Sequence, residues 1–492
     1  MQPHRLLWAY ARTRTHRFAD RAALERHQAH GLERFARTVL ARSPWFAPYA
    51  SQPRDAWPLM DKAAMLAHFD AMNTAGLTLD DVLACAHRAE QSRDFSPMLG
   101  RYSVGLSSGT SGSRGVFVAS PAERATWAGV LLAKLLPQGL LHRERVALFL
   151  RANNRLYTAV RTPWLSFAFF DLFEPFESLV AQLDAYRPTI VVAPAQVLCS
   201  LAIAVREGRL AVRPARVIAV AEVLDPLDRV LLADTFGRVD EVYQATEGFL
   251  GATCAHGTLH LNEAFLHVEP QWLDDARFVP VITDFTRSTQ PIVRYRLDDV
   301  LAVRRAPCPC GSPALAIERI EGRCDDMLVL PGRDGTPRTV FADVCARALA
   351  QSLPLHADYR LTQTAPAALT LAVDTGADGA GSGALAACRQ HLVDVFARLG
   401  VATDALAWIL SPDVPARDFT QKRRRIVRAK EARCSRCRRD CARWRSAGAR
   451  SASPIPCRAS CKAPGRCSPK ARSTNSSRSI RAACGSTCRS LR

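Results

Sequence analysis

Three short β-branched runs, Val146–Leu150, Thr189–Ala193 and Val217–Val220, punctuate a stretch whose intervening segments read as helical. Short buried strands that alternate with helices are the pattern of a sheet covered on both faces. The sequence therefore predicts an α/β core with a largely parallel sheet. The opening hundred residues read as helical, with proline breaks around Ser43–Pro53 and at Pro58, and a strand is predicted at Arg101–Leu106. Around Gly322 the texture changes. Phe341, Val344, Cys345, Ala348 and Leu349 have helical spacing, as do Leu385, Cys388, Leu392, Val395, Phe396 and Leu399. Ala368–Val373 and Ala405–Leu410 read as strands, so a small α+β domain is predicted after the α/β one. The expected organisation is a large domain over residues 1–321, a small domain over 322–430, and a tail over 431–492.

The tail distorts the totals. Of a formal net charge of +20, residues 431–492 supply +14 and the preceding 430 residues +6; eight of the 16 cysteines also fall there. Trp444, Ile455, Ile480 and Leu491 are nearly its whole stock of large apolar residues, too few to offset the entropy of ordering it. It reads as disordered, with the composition of a GC-rich gene translated out of frame; a nucleic-acid-binding arm and a zinc module around Cys434 and Cys437 are the alternatives. Nucleic acid is not the expected partner of the chain. The 492 residues, 48% of them hydrophobic, are enough for more than one core, which excludes a wholly disordered chain. No apolar run approaches the roughly 18 residues that cross a bilayer, and no leader with a cleavage site opens the chain, so a cytoplasmic protein without a membrane partner is expected.

Chemistry concentrates in a few segments. Leu106-Ser-Ser-Gly-Thr-Ser-Gly-Ser-Arg-Gly115 follows a predicted strand. Its glycines let main-chain N–H groups approach an anion, its hydroxyls add donors, and Arg114 adds a cation. No Walker loop is present, and a loop of this composition is also what a flexible linker looks like. Tyr243-Gln-Ala-Thr-Glu247 sets a hydroxyl beside a carboxylate, a hard oxygen ligand suited to Mg²⁺. Ile292-Val-Arg-Tyr-Arg-Leu-Asp-Asp299 and Glu321-Gly-Arg-Cys-Asp-Asp-Met327 follow. Cys254-Ala-His256 and Cys308-Pro-Cys310 offer three thiolates and an imidazole, with His260 competing against His256 as the fourth group. Such a set makes a closed structural zinc site, or else the cysteines are free and reduced.

The four segments, in this order, resemble the adenylate-forming superfamily of acyl-CoA synthetases and adenylation domains, and most of all its phenylacetate-CoA ligase and coenzyme F390 synthetase-like branch. Pro58-Leu-Met-Asp-Lys62 through Phe69-Asp-Ala-Met-Asn73 is similar to that branch's opening region, and the likeness spans roughly residues 40–430. The resemblance implies a large adenylate-forming domain and a small one that turns between two half-reactions. Ser107, Ser108, Gly109, Thr110, Ser111, Gly112, Arg114 and Gly115 would hold the ATP phosphates. Thr246 would meet the α-phosphate, Glu247 would hold Mg²⁺, and Asp299 with Arg323 would take the ribose. Asp325 would be the hinge, and Ala221-Glu222 matches a weaker acyl-pocket segment. Two departures stand out. Many relatives have Lys-Gly where this chain has Arg114-Gly115, and the late catalytic lysine has only Lys422, in Phe419-Thr-Gln-Lys-Arg-Arg-Arg-Ile426, as its counterpart.

The implied activity is ATP-dependent conversion of a carboxylic acid, by analogy an aromatic one, to an acyl-adenylate. Transfer to the thiol of coenzyme A or of a carrier protein's pantetheine would follow, with release of AMP. Trp164, Phe167, Phe169 and Phe170 are considered as pocket aromatics and as core. Two rivals are an enzyme that passes AMP to a hydroxyl and a catalytically impaired nucleotide-binding homologue.

Overall fold

Helices open the chain: α1 (Pro3–Thr15), α2 (Arg21–Thr38), the short α3 (Lys62–Ala67) and α4 (Phe69–Met72), and α5 (Leu79–Ser92). The structure, a computed structural model, describes residues 2–92, 97–107, 114–136, 138–150, 164–355, 357–374 and 381–429. The tail at 431–492 thus lies outside the described residues. Strands β1 (Met98–Leu99), β2 (Tyr102–Leu106) and β3 (Val116–Ala119) form a small antiparallel sheet. Then α6 (Pro121–Leu135) begins at a capping box, in which Ser120 and Glu123 satisfy each other's backbone N–H and Pro121 occupies the first turn.

The predicted alternation follows: β4 (Glu144–Leu150), β5 (Leu165–Asp171), α7 (Phe176–Tyr186), β6 (Ile190–Ala193), α8 (Ala195–Arg206), β7 (Arg216–Val220), α9 (Pro226–Phe236) and β8 (Val239–Ala245). These strands lie parallel in the order β5-β4-β6-β7-β8. The α/β class holds, but the parallel pairing is confined to this half of the main sheet. Between Phe236 and Arg323 no helix separates the strands, and short connections can only reverse direction. β9 (Gly248–Thr253), β10 (Leu259–Leu261), β11 (Leu266–Trp272), β12 (Arg277–Asp284), β13 (Ile292–Arg296), β14 (Asp299–Val303) and β15 (Ala316–Arg323) extend the same sheet with antiparallel neighbours.

β4 explains why its residues read as one apolar run. Val146 and Leu148 face α1 and α6, whereas Ala147 and Phe149 face α7 and α8, so both faces of the strand are buried. The α1–α6 contact is close enough that a side chain at Gly129 would collide with the Leu6 carbonyl oxygen. On the antiparallel half, α2 packs through Leu32, Phe35 and Ala36 against Leu266, Phe278 and Ile282.

After β15 come β16 (Leu328–Leu330), β17 (Arg338–Val340), α10 (Ala342–Ala350), β18 (Asp358–Ala365), β19 (Ala368–Asp374), α11 (Gly381–Arg398), β20 (Ala407–Ser411) and β21 (Ile426–Arg428). The last four strands make a sheet ordered β20-β19-β18-β21. Cys345, Leu349, Cys388, Leu392 and Phe396 bury their side chains against Tyr359, Leu361 and Leu371 of that sheet. The helices and strands expected in this region are present. Among the described residues no helix is long and apolar enough to cross a membrane.

A partly buried imidazole ties the helical opening to the sheet. His267 on β11 lies 3.2 Å by Nδ1 from Gln28 Oε1 and 2.7 Å by Nε2 from Arg54 Nη1. Arginine only donates, so Nε2 accepts and the neutral ring donates from Nδ1. Burial first, then Arg54, Arg21 and Arg294, bring its pKa down to about 4. The unfolded chain therefore binds the extra proton between about pH 6.5 and 4, and stability falls as pH drops through that window. Melting curves across it should show a shallower acid loss in His267→Gln than in the parent; equal slopes would refute the assignment.

Candidate active site

Parallel strands buried on both faces expose functional groups only at their ends, and in such sheets ligands sit beyond the carboxyl ends. β7 ends at Val220 and turns through Ala221, whose φ of 64° lies in the left-handed region. The Glu222 N–H returns to the Val220 carbonyl at 2.8 Å, a tight γ-turn of the strained kind. β8 ends one strand further on at Ala245, and Thr246-Glu247 forms the whole connection to β9, with Ala245 paired to Gly248. This hairpin is where the sheet changes from parallel to antiparallel pairing. Both strand ends open into one cleft of about 1890 Å³, which Ser107, Arg114, Asp299, Arg323 and Lys422 also line.

Glu247 is buried, and burial raises its pKa above the ordinary carboxylate range. Tyr295 hydrogen-bonds to it, and Lys62 is near enough to oppose the rise. A carboxylate held this dry favours a cation beside it, and its hard oxygens suit Mg²⁺. Asp299, at the start of β14, pairs in register with Arg323 at the end of β15. Its Oδ2 accepts from the buried Tyr243 hydroxyl at 2.7 Å, and Arg323 Nε stands 3.8 Å from Oδ1. Burial, followed by the Asp299 charge, holds the Tyr243 phenol well above its ordinary pKa, so it remains a donor. Asp299 is thereby fixed in orientation while its side chain keeps 20% exposure on the cleft. Asp325 falls in the short turn Cys324–Asp326 directly after β15, and its side chain lies outside what is described.

Of the predicted phosphate loop, Ser108, Gly109, Thr110, Ser111 and Gly112 lie outside the described residues. Its two ends are joined: Ser107 N–H donates to the Gly115 carbonyl at 2.8 Å, and Gly115 N–H donates to Ser107 Oγ at 2.7 Å. Arg114 points to α5, where Glu90 takes both terminal nitrogens, and its Nε donates to the Ser107 carbonyl at 2.9 Å. A phosphate would have to draw Arg114 from this half-exposed pair, which costs little. Lys62, at the start of α3, comes close to Gly115 while acting on Glu247. The sequence offered Lys62 only as part of a resembling segment, with no role attached. Tyr243 and Tyr295 were legible as neighbours of the motif carboxylates but not as their partners, because the pairing joins strands far apart in sequence.

The aromatic run of β5 does not reach the cleft. Phe167 and Phe170 are buried in the cores on opposite faces of the sheet, and Trp164 stands at the surface under Arg143. The apolar wall is supplied instead by Trp127, Val130 and Leu131 of α6 with Leu150, Val192 and Phe249.

Away from the cleft, Cys254, His260, Cys308 and Cys310 bring their ligand atoms within 4.8 Å of one another. Cys254 and Cys308 sulfurs are 3.6 Å apart, and Cys310 Sγ is 3.4 Å from His260 Nε2. Tetrahedral ligands at bonds of about 2.0–2.3 Å have such separations. His260 Nδ1 lies 3.0 Å from the Ala314 carbonyl, which fixes the tautomer that turns an Nε2 lone pair to the group. His256, expected as the fourth member, is not in the group. It sits exposed in the turn after Cys254, whereas His260 lies on β10, whose neighbours β9 and β15 border the two cysteine segments.

No protein-family profile matches the sequence, and no curated protein matches it. The fold does have solved counterparts. A 2-hydroxyisobutyryl-CoA ligase in its postadenylation state with 2-HIB-AMP superposes with a TM-score of 0.62 at 19% identity, over 89% of this chain and 94% of that one. The same ligase with R3-HIB-AMP gives 0.60 at 18% identity over 89% and 94%. An open conformation with 2-HIB-AMP and CoA gives 0.55 at 18% over 84% and 93%. This chain shares the fold of those acyl-AMP-forming CoA ligases.

A carboxylate whose pKa is raised by burial costs stability where it is ionised. Because the folded pKa of Glu247 is raised, the stability it contributes is present at acid pH and is lost as pH rises through that value. Glu247→Gln, without nucleotide, is expected to melt a few degrees higher than the parent at pH 8, with the difference closing towards pH 4. A lower melting point for the variant at pH 8 would contradict this.

Proposed function

We propose that the chain is an AMP-forming acid–thiol ligase. The carboxylate oxygen of an acid attacks the α-phosphorus of Mg-ATP, the bond to the β-phosphate oxygen breaks, and pyrophosphate leaves with the electron pair. The thiol of coenzyme A or of a carrier-protein pantetheine then attacks the acyl-adenylate carbonyl and AMP leaves. The observation that carries this reading is the buried Glu247 at the carboxyl end of β8, in one cleft with Asp299 and Lys422. The fold shared with ligases solved around acyl-adenylates supports it.

In this reading Glu247 holds Mg²⁺, Thr246 meets the α-phosphate, and Ser107 and Gly115 sit at the mouth of the phosphate loop. Asp299 accepts from the ribose hydroxyls, since an ionised carboxylate can accept from two neighbouring O–H groups. Arg323 assists, and Lys422 brings a cation to the acyl carboxylate and the α-phosphate. Bound Mg²⁺ would neutralise charge on the transferring phosphoryl group. Residues 1–321 form the large domain, and residues 322–430 turn about Asp325 between the half-reactions. The apolar wall from α6 favours an acid with an apolar body, and an aromatic acid of the phenylacetate-CoA ligase type is the one we propose.

Acid-dependent ATP–pyrophosphate exchange tests the reading, with benzoate, phenylacetate, 2-hydroxyisobutyrate and straight-chain acids. Exchange with one acid class is expected, falling by about 10²-fold or more in Glu247→Ala and in Lys422→Ala. Pyrophosphate release that needs no acid would replace it with AMP transfer to a hydroxyl. ATP binding without exchange would replace it with an impaired homologue.

We also propose that Cys254, His260, Cys308 and Cys310 hold a structural Zn²⁺, which closes the turn after β9 onto the turn between β14 and β15. The reduced full-length chain is expected to retain zinc through dialysis, and His260→Ala and Cys308→Ser to lose it. His256→Ala should keep the parent's zinc content. Loss in His256→Ala with retention in His260→Ala would reverse the ligand assignment.

A further inference from the structure

Lys422 lies on an irregular segment between β20 and β21, with a long, flexible side chain. A segment of this kind fixes nothing by itself, so what holds its backbone decides where the ammonium goes. Both peptide groups that flank Lys422 are engaged by residues of the main-sheet region. Gln196, in the first turn of α8 and 1% exposed, donates from Nε2 to the Gln421 carbonyl at 2.7 Å. Glu222, just past the strained turn at Ala221, accepts the Arg423 N–H at 3.4 Å. The two are themselves joined. Gln196 Nε2 donates to Glu222 Oε1 at 2.8 Å, and the Gln196 N–H lies 3.2 Å from Oε2.

Alongside this grip the neighbouring guanidiniums are anchored. Arg423 pairs with Asp228 of α9 and stands 3.3 Å from Asp358 of β18. Arg425 stands 3.0 Å from Asp228 and 2.9 Å from Asp358, with its side chain only 7% exposed. Arg424 pairs with Asp326. The three consecutive arginines are therefore committed to carboxylates. A segment held by both of its peptides and by the side chains that follow has little freedom left.

We propose that Gln196 and Glu222 are positioning residues for Lys422, holding the peptide groups on either side of it so that its ammonium is delivered into the cleft. Glu222 then acts on the lysine's backbone rather than on the acyl group that its motif position suggests. The inference rests on the proposed role of Lys422 in adenylation. A misplacement of about 1 Å in such a group can cost about 10²-fold in rate.

The test uses the full chain with two readouts. The first is acid-dependent pyrophosphate exchange with benzoate, phenylacetate and 2-hydroxyisobutyrate. Gln196→Leu and Glu222→Ala should lose about 10²-fold in kcat while the KM for ATP stays near the parent's, and Glu222→Gln, which keeps an acceptor, should recover most of the loss. The second is the acetylation rate of Lys422 by acetic anhydride, followed by peptide mass spectrometry with Lys62 as the internal reference. It needs no substrate. Lys422 should react several-fold faster in Gln196→Leu and Glu222→Ala than in the parent or Glu222→Gln. Melting curves identify variants that fold; Glu222, only half-buried, serves if Gln196→Leu does not. Unchanged Lys422 labelling in folded variants would overturn the inference. Altered labelling in a chain that exchanges pyrophosphate with no acid would uphold the positioning and remove the ligase reading.

Discussion

Burial of the parallel half-sheet on both faces is the constraint from which the rest follows. With α1 and α6 on one side and α7, α8 and α9 on the other, the middles of β4, β6 and β7 have no room for a polar side chain. Reactive groups are pushed to the strand ends. There the turn at Ala221 and the hairpin at Thr246-Glu247 project a strained backbone and a carboxylate into the same cleft. The change from parallel to antiparallel pairing at β8 and β9 opens that cleft, because the antiparallel half brings Asp299 and Arg323 to its rim from a different direction.

Charge is taken out of water at several places in this molecule, and its fate differs with the company it keeps. Asp358 is surrounded by Arg417, Arg423 and Arg425, and despite burial the three guanidiniums hold its carboxyl well below the usual range. A buried network so fully paired fixes geometry more surely than it adds stability. Glu247 has the Tyr295 phenol and the charge of Lys62 instead, and burial prevails. The Asp358 carboxylate is satisfied by guanidiniums within the fold, whereas burial outweighs the groups beside Glu247. That contrast separates the anchoring of the segment around Lys422 from the chemistry proposed at Glu247.

The strands were legible because burial on both faces writes an unbroken apolar run, as at Val146–Leu150, and the later helices because a one-sided helix writes a 3.6-residue repeat, as at Cys388, Leu392 and Phe396. The antiparallel half was not read as such. β10 has three residues, and β11 carries Glu269, Pro270 and Gln271 in its second half, so the apolar signal is short or broken while the pairing to β12 continues through main-chain hydrogen bonds. Motif spelling brought forward Thr246, Glu247 and Asp299, which the fold gathers about one cleft, but not the partners that orient them.

The sequence by itself determined the elements and the order of the motif residues, because side-chain periodicity and turn chemistry act over a few neighbours. Only the tertiary structure decided which of those residues meet. His260 replaces His256 in the cysteine cluster because a strand, and not the adjoining turn, faces the second cysteine pair. The arginines around Lys422 are anchored because α9 and β18 bring Asp228 and Asp358 to them across nearly 200 residues and some 65 residues of chain. Pairings of that range are set by how sheets and helices pack, and no local pattern in the sequence records them.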